Sequence, residues 1–256
     1  MFLDAIVDSV RQEIDLRKRK TSPSALQDRP LFQLPCRGFA ASLKGESRRI
    51  IAEVKRASPS QGLIRQEFDP VEIAKALAAG KASALSVLTE ERFFQGSLLY
   101  LEGIKKEVSL PLLRKDFILD GYQLLEARSF GADAVLLIAA LLDSVLLKEL
   151  KNQARALSLD VLIEVHTEAE LQSALEAGAD LIGINNRDLQ TFEVKVETTE
   201  RLMPMVPRGI SVVCESGIES AAQIRKLEGL GIHIFLVGET LMRAADPGAK
   251  LKELLE

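Results

Sequence analysis

Eight short runs rich in valine, isoleucine and leucine recur along this chain, beginning near residues 49, 83, 111, 133, 160, 180, 210 and 233. Their average separation, about 26 residues, is the length of a strand, a helix and two short loops. The segments between them carry helix punctuation. Asp69-Pro70 opens one as an N-cap followed by an N1 proline, and Gly80 closes it. Asp120 to Gly131 and Thr167 to Gly178 repeat the form, each passing through Gly-Ala-Asp into the next apolar run, and Ser220 to Gly229 is a further helix of this kind. Strands this apolar, alternating with helices, belong to a parallel sheet covered on both faces. Eight even units favour a closed (β/α)8 TIM barrel over a doubly wound open sheet, and no dinucleotide-binding fingerprint supports the open form.

Residues 1–48 precede this beat and read as an N-terminal helical extension. From Met1 to Ile14, the residues Leu3, Ile6, Val7, Val10 and Ile14 form one apolar stripe. A polar, proline-punctuated stretch from Thr21 to Pro35 follows, then a short amphipathic piece from Phe39 to Leu43. The stripe needs a partner, and we expect it to cover the barrel mouth; packing on the outside of the barrel is the alternative. With 256 residues and 47% apolar content, one barrel domain over 1–256 can bury its own core.

A net charge of −4 supplies no basic stripe, so no nucleic-acid partner is expected. No apolar run approaches the roughly 18 residues a membrane span requires, and charges interrupt the first helix too often for a signal peptide. Cys36 and Cys214 fall outside any metal-ligand spacing, so no structural metal is expected, and two thiols suit a reducing compartment. A cytoplasmic monomer is the expectation.

Strand parity carries the functional reading. In Ile50-Ile-Ala-Glu-Val-Lys55 the charged Glu53 and Lys55 share the face of Ile51, because side chains alternate along a strand. The same test puts Lys115 with Leu113, Glu164 with Leu162, Asn185 with Gly183 and Glu215 with Val213. Five strands thus deliver polar groups to one end, the end where α/β barrels hold their active sites. Each has a blander use taken alone. Lys115 could be a surface lysine beside Asp116, Glu164 with His166 a rim pair, Asn185 a loop tether, and Ser216 a helix cap. Buried charge costs several kcal/mol unless paired, and crowding several charges into one mouth suits acid–base chemistry better than structure. Gly217 and Gly238 end the last two strands and permit the close backbone approach of a phosphate site.

The motifs Ile51-Ala-Glu-Val-Lys-Arg-Ala-Ser-Pro-Ser60, Ser86-Val-Leu-Thr-Glu-Glu-Arg-Phe-Phe-Gln-Gly-Ser97, Leu113-Arg-Lys-Asp-Phe117, Ile163-Glu-Val-His166, Gly183-Ile-Asn-Asn-Arg-Asp-Leu189, Cys214-Glu-Ser-Gly217 and Val237-Gly-Glu-Thr-Leu-Met-Arg243 resemble those of the indole-3-glycerol phosphate synthase family. The resemblance runs the length of the chain. It implies a carboxy-lyase of tryptophan biosynthesis that converts 1-(2-carboxyphenylamino)-1-deoxyribulose 5-phosphate to indole-3-glycerol phosphate, CO2 and water, without metal or organic cofactor. It further implies that Lys115 is the general acid of ring closure and Glu164 the acid/base for loss of water. Lys55 would meet the substrate carboxylate and donate a proton in dehydration, with Glu53 setting its charge, while Asn185 and Glu215 orient hydroxyls. Ser58, Gly217, Gly238 and the Glu239 backbone match the phosphate site, joined in substrate binding by Arg187 and Ser216; Phe94 and Phe117 match the aromatic pocket.

Delivering a proton to a ketone oxygen suits a lysine of lowered pKa, which is the expectation for Lys115. Two other readings stand beside this one: a Schiff-base aldolase with Lys115 as nucleophile, and a phosphate-binding barrel without catalysis.

Overall fold

The structure, a computed structural model, describes residues 2–256; Met1 of the expected first helix lies outside them. Among the described residues the eight apolar runs are strands β1 (Arg49–Val54), β2 (Ala84–Leu88), β3 (Leu112–Lys115), β4 (Ala134–Ile138), β5 (Asp160–Val165), β6 (Leu181–Asn185), β7 (Ser211–Glu215) and β8 (Ile234–Val237). Each pairs in parallel with its neighbours in chain order, and β8 closes onto β1. The chain is a (β/α)8 barrel.

Alternation sorts each strand into two apolar layers. Ile50, Ala52 and Val54 of β1 face the surrounding helices, as do Val135 and Leu137 of β4. Ile51, Leu113, Leu136, Leu162, Val213 and Leu236 fill the inside of the ring. Burial of both layers is the main favourable term of the fold, at about 25 cal/mol per Å2 of apolar surface removed from water. Helix signals read from the sequence hold: Asp69 caps Pro70–Ala79, Asp120 caps Gly121–Ser129 with a capping box, and Thr167 caps Glu168–Glu176.

The extension departs in detail from its sequence pattern. The N-terminal helix Phe2–Lys20 buries Ile6, Val10 and Ile14 in the layer that fills the ring. The proline-punctuated stretch forms two short helices, Pro23–Gln27 and Pro30–Gln33. Each begins with its proline, whose missing N–H costs nothing in the first turn. The helix Phe39–Ser42 then lies at the far end of the barrel. There the Ala40 N–H donates to Asp160, the first residue of β5, at 2.8 Å, and the Arg37 N–H donates to Asp133, just before β4, at 2.6 Å. Another feature absent from the sequence reading is a two-stranded antiparallel ribbon, Ala57–Ser58 with Gly62–Leu63, after β1. No helix among the described residues is long and apolar enough to cross a membrane.

Candidate active site

The C-terminal ends of the strands surround a cavity of about 620 Å3, within the range of a small-molecule site. The polar residues selected by parity all line it: Glu53, Lys55, Lys115, Glu164, Asn185 and Glu215. So do the residues assigned to substrate binding, namely Ser58, Phe94, Phe117 and Arg187, then Ser216, Gly217, Gly238 and Glu239.

Two ion-pair groups occupy the floor. Lys115 Nζ lies 2.9 Å from Glu164 Oε2 and 3.0 Å from Glu215 Oε2. Lys55 Nζ lies 2.8 Å from Glu53 Oε1, while the Ser86 hydroxyl donates to Glu53 Oε2 at 3.3 Å. Register sets part of this arrangement, with Glu53 beside Ser86 and Asn185 beside Glu215 on neighbouring strands.

The lysine contradicts one expectation. Burial pulls the Lys115 pKa down, but the carboxylates of Glu164, Glu215 and Glu53 outweigh it and raise it above the ordinary lysine value. Beside these three carboxylates Lys115 is a charged ammonium rather than an amine of lowered pKa. Burial would raise Glu164, yet Lys115 and His166 hold it well below the usual carboxylate range. Glu215 goes the other way: burial lifts it, the opposing pull of Lys115 is insufficient, and repulsion from Glu164 adds to the rise. Glu53 is depressed, since Lys55 and Lys115 overcome its burial.

The apolar wall comes from Phe94 and Phe117, with ring centroids 5.9 Å apart, and from Leu136 and Ile138 of β4. Leu3 and Ile6 of the N-terminal helix complete it. Glu90, whose place in the sequence carries no signal of a role, sets the Phe94 loop by accepting the N–H groups of Arg92, Phe93 and Phe94 at 3.1, 2.7 and 3.0 Å.

Arg187, Glu239 and Arg243 join across the rim. Glu239 accepts from Arg187 at 3.3 Å and from Arg243 at 3.0 Å, and Arg243 also donates to Gln61 at 2.7 Å. The Glu239 side chain is thus neutralised by two guanidinium groups. Ser216 is not a helix cap: it has φ 64, and Ser220 caps the following helix. Asn185 combines both of its readings, lining the cavity while accepting the Arg187 N–H at 3.0 Å. Gly238 has a further reason to lack a side chain. A methyl group there would sit 2.5 Å from Glu53 Oε1, so its lack of a side chain makes room for that carboxylate.

The model of the family described as indole-3-glycerol phosphate synthase matches residues 3–254. The chain belongs to that family. Proteins named indole-3-glycerol phosphate synthase from Dehalococcoides mccartyi strains CBDB1 and BAV1 are each 48% identical over 259 residues, covering 100% of both chains. Among solved structures, 3-hexulose-6-phosphate synthase from Salmonella typhimurium superposes with TM-score 0.65 at 16% identity, covering 81% of this chain and 96% of that one. N-acetylmannosamine-6-phosphate 2-epimerase from Clostridium perfringens gives TM-score 0.62 at 18% identity, with 80% and 90% covered. These two likenesses speak for the barrel alone.

Gly183 yields the first prediction. A Cβ at this position would meet Glu215 Oε1 at 2.0 Å. That oxygen is the end of a side chain at the cavity, so Gly183→Ala is expected to fold, at a cost of about 1–3 kcal/mol for moving a buried carboxyl off its partner. The displaced carboxyl leaves Lys115, and kcat should fall by roughly 10²-fold. Steady-state kinetics beside urea unfolding check this; loss of stability with full activity in the folded fraction would contradict it.

Proposed function

We propose that Lys115, Glu164 and the Lys55–Glu53 pair carry out the family's reaction in this chain. That reaction, the formation of indole-3-glycerol phosphate with loss of CO2 in tryptophan biosynthesis, makes the chain a carbon–carbon lyase. The observation that carries the assignment is the junction of Lys115 with Glu164 and Glu215, three residues from three strands meeting within 3.0 Å at the cavity floor.

The steps follow from the groups present. The ring carbon bearing the carboxylate attacks the ketone carbon, and the ketone oxygen takes a proton from Lys115. CO2 then leaves, and its bonding electron pair restores the aromatic ring. The new hydroxyl departs as water on a proton given by Lys55, while Glu164 takes a proton from the adjoining carbon, whose C–H electron pair becomes the double bond.

A lysine of raised pKa is a poor acid until its anions are neutralised. Glu215, whose pKa is raised, takes up a proton more readily than an ordinary carboxyl, and doing so removes one of the charges that hold Lys115 protonated. A ketone oxygen arriving between Lys115 and Glu215 would then meet an ammonium free to donate.

Lys55 would receive the substrate carboxylate. The dianionic phosphate would meet the backbone N–H groups around Gly217 and Gly238, the Ser58 hydroxyl and Arg187; the Glu239 carboxylate, already paired, would not oppose it. Phe94, Phe117, Leu136 and the N-terminal helix would enclose the aniline ring as a cover.

Conversion of the anilino-ribulose phosphate, followed by indole fluorescence, tests the reading. We expect turnover without added metal or cofactor, and no adduct on borohydride treatment with a ketose phosphate. An inert chain, or a trapped Lys115, would overturn it.

A further inference from the structure

Glu164 is flanked on both oxygens. Lys115 stands 2.9 Å from Oε2, and His166 Nε2 stands 3.4 Å from Oε1. His166 follows β5 directly, on the parity of Glu164, and its side chain is 11% exposed. Its Nε2 is buried and has no hydrogen bond among the described residues; the Glu164 carboxylate lies 3.4 Å from it.

The other side of the ring is fixed. His166 Nδ1 lies 3.0 Å from Glu170 Oε2, and the same oxygen accepts the His166 backbone N–H at 2.7 Å. Glu170 Oε1 accepts the hydroxyl of Thr167, the cap of the helix Glu168–Glu176, at 3.0 Å. A helix cap, a carboxylate, an imidazole and Glu164 therefore form one line running from the rim to the cavity floor.

We propose that His166, seated on Glu170, is a positioning residue that keeps the Glu164 carboxylate oriented and ionised when Lys115 gives up its proton. This rests on the roles proposed above for Lys115 and Glu164. Once Lys115 becomes a neutral amine, Glu164 loses the cation on Oε2. A buried carboxylate without a cation takes up a proton and ceases to be a base. The imidazolium on Oε1 offsets this loss without touching substrate, since neither His166 nor Glu170 lines the cavity.

The surroundings keep the ring charged. Burial favours neutral imidazole, but Glu164 and Glu170 push its pKa up to about 10. Asp188, in the loop after β6, adds negative field, and Arg201 of the helix Glu197–Leu202 donates to the His166 carbonyl at 3.3 Å, away from the ring.

Glu170→Gln and His166→Gln test the assignment. Removing a cation beside Glu164 raises its pKa, so the acid limb of the kcat profile should move to higher pH by about one unit in His166→Gln and by less in Glu170→Gln. At pH 7 kcat should fall by about five- to tenfold, with KM within twofold of wild type. An unmoved limb, or a loss expressed in KM alone, overturns the proposal. The chain has two histidines, His166 and His233, so imidazole nitrogen resonances provide a readout independent of turnover. The His166 ring should remain charged well past neutral pH in wild type and titrate lower in Glu170→Gln; a neutral ring at pH 7 overturns the proposal even for a chain that turns over. Inert wild type would instead strike the proposed activity, leaving the imidazole titration to decide the pair.

Discussion

Lys115→Met is expected to abolish most turnover while the barrel still forms. A general acid positioned in the transition state is worth about 10²- to 10⁴-fold, and a kcat loss near the middle of that range is the expected result. Methionine matches the aliphatic stem, so packing around β3 changes little. The charge does change. Glu164, Glu215 and Glu53 lose a cation that each now faces, and their pKa values rise. A carboxyl whose folded pKa lies above its unfolded value contributes stability below the unfolded pKa and loses it as pH rises through the folded one. The variant should therefore be closest to wild-type stability in mild acid and furthest from it at pH 8. Lys115→Arg separates the two roles: a guanidinium keeps the ion pairs but does not release a proton. It should restore stability at pH 8 and leave kcat low. Turnover within tenfold of wild type in Lys115→Met would remove Lys115 from the role of acid.

Much of this site is legible before folding because parity is a property of the covalent chain. Once Ile51 is placed inside the ring, Glu53 has to follow it, and the same step finds Lys115, Glu164, Asn185 and Glu215. Parity marks nothing where the strand end is apolar. Leu136 and Ile138 have the parity of Ala134 and form the wall of the cavity, but nothing polar marks them.

Side-chain interactions across distant segments were equally hidden. The sign of the Lys115 shift depends on which carboxylates lie within about 3 Å, a distance that spacing along one strand does not contain. Gly183 reads only as the in-register partner of Asn185 and Gly238 as a phosphate-site glycine; that each also makes room for a carboxylate from another strand, Glu215 and Glu53, is set by the fold. In the extension, the apolar stripe announced a buried face, yet only the fold reveals that residues 37–43 serve the opposite end of the barrel.

Arg114 is the extreme case of such hidden interactions, and it carries the largest expected effect on stability. By parity it faces outward from β3, into a layer that should be apolar, and its exposure is 0%. It donates to Asp116 Oδ2 at 2.8 Å, to the Gln123 carbonyl at 2.7 Å and to Glu126 Oε2 at 3.4 Å. Asp116 also accepts the Thr89 hydroxyl at 2.6 Å and the Phe117 N–H at 2.8 Å, while Glu126 Oε1 reaches Arg17 of the N-terminal helix at 2.7 Å. One guanidinium thus joins the ends of β2 and β3, the helix Gly121–Ser129 and, through Glu126, the N-terminal helix.

Arg114→Met keeps the length of the side chain, strands the buried Asp116 carboxylate and leaves Glu126 with Arg17 as its remaining cation. Breaking a buried pair from one side costs about 3–5 kcal/mol, most of it the penalty of the unpaired charge. The pH dependence identifies the cause. In wild type burial would raise the Asp116 pKa, but Arg114 and Thr89 hold it below the usual carboxylate value. Its contribution is therefore present above the unfolded pKa and lost as pH falls through the depressed folded one. Without Arg114 the folded pKa moves above the unfolded value, so the deficit should be largest near pH 8 and shrink toward pH 5. Adding Asp116→Asn to Arg114→Met should recover part of the loss at pH 8 and little at pH 5. Urea unfolding at both values decides the matter: an equal loss at the two, or a loss under about 1 kcal/mol, would mean that shape rather than charge makes this arginine matter.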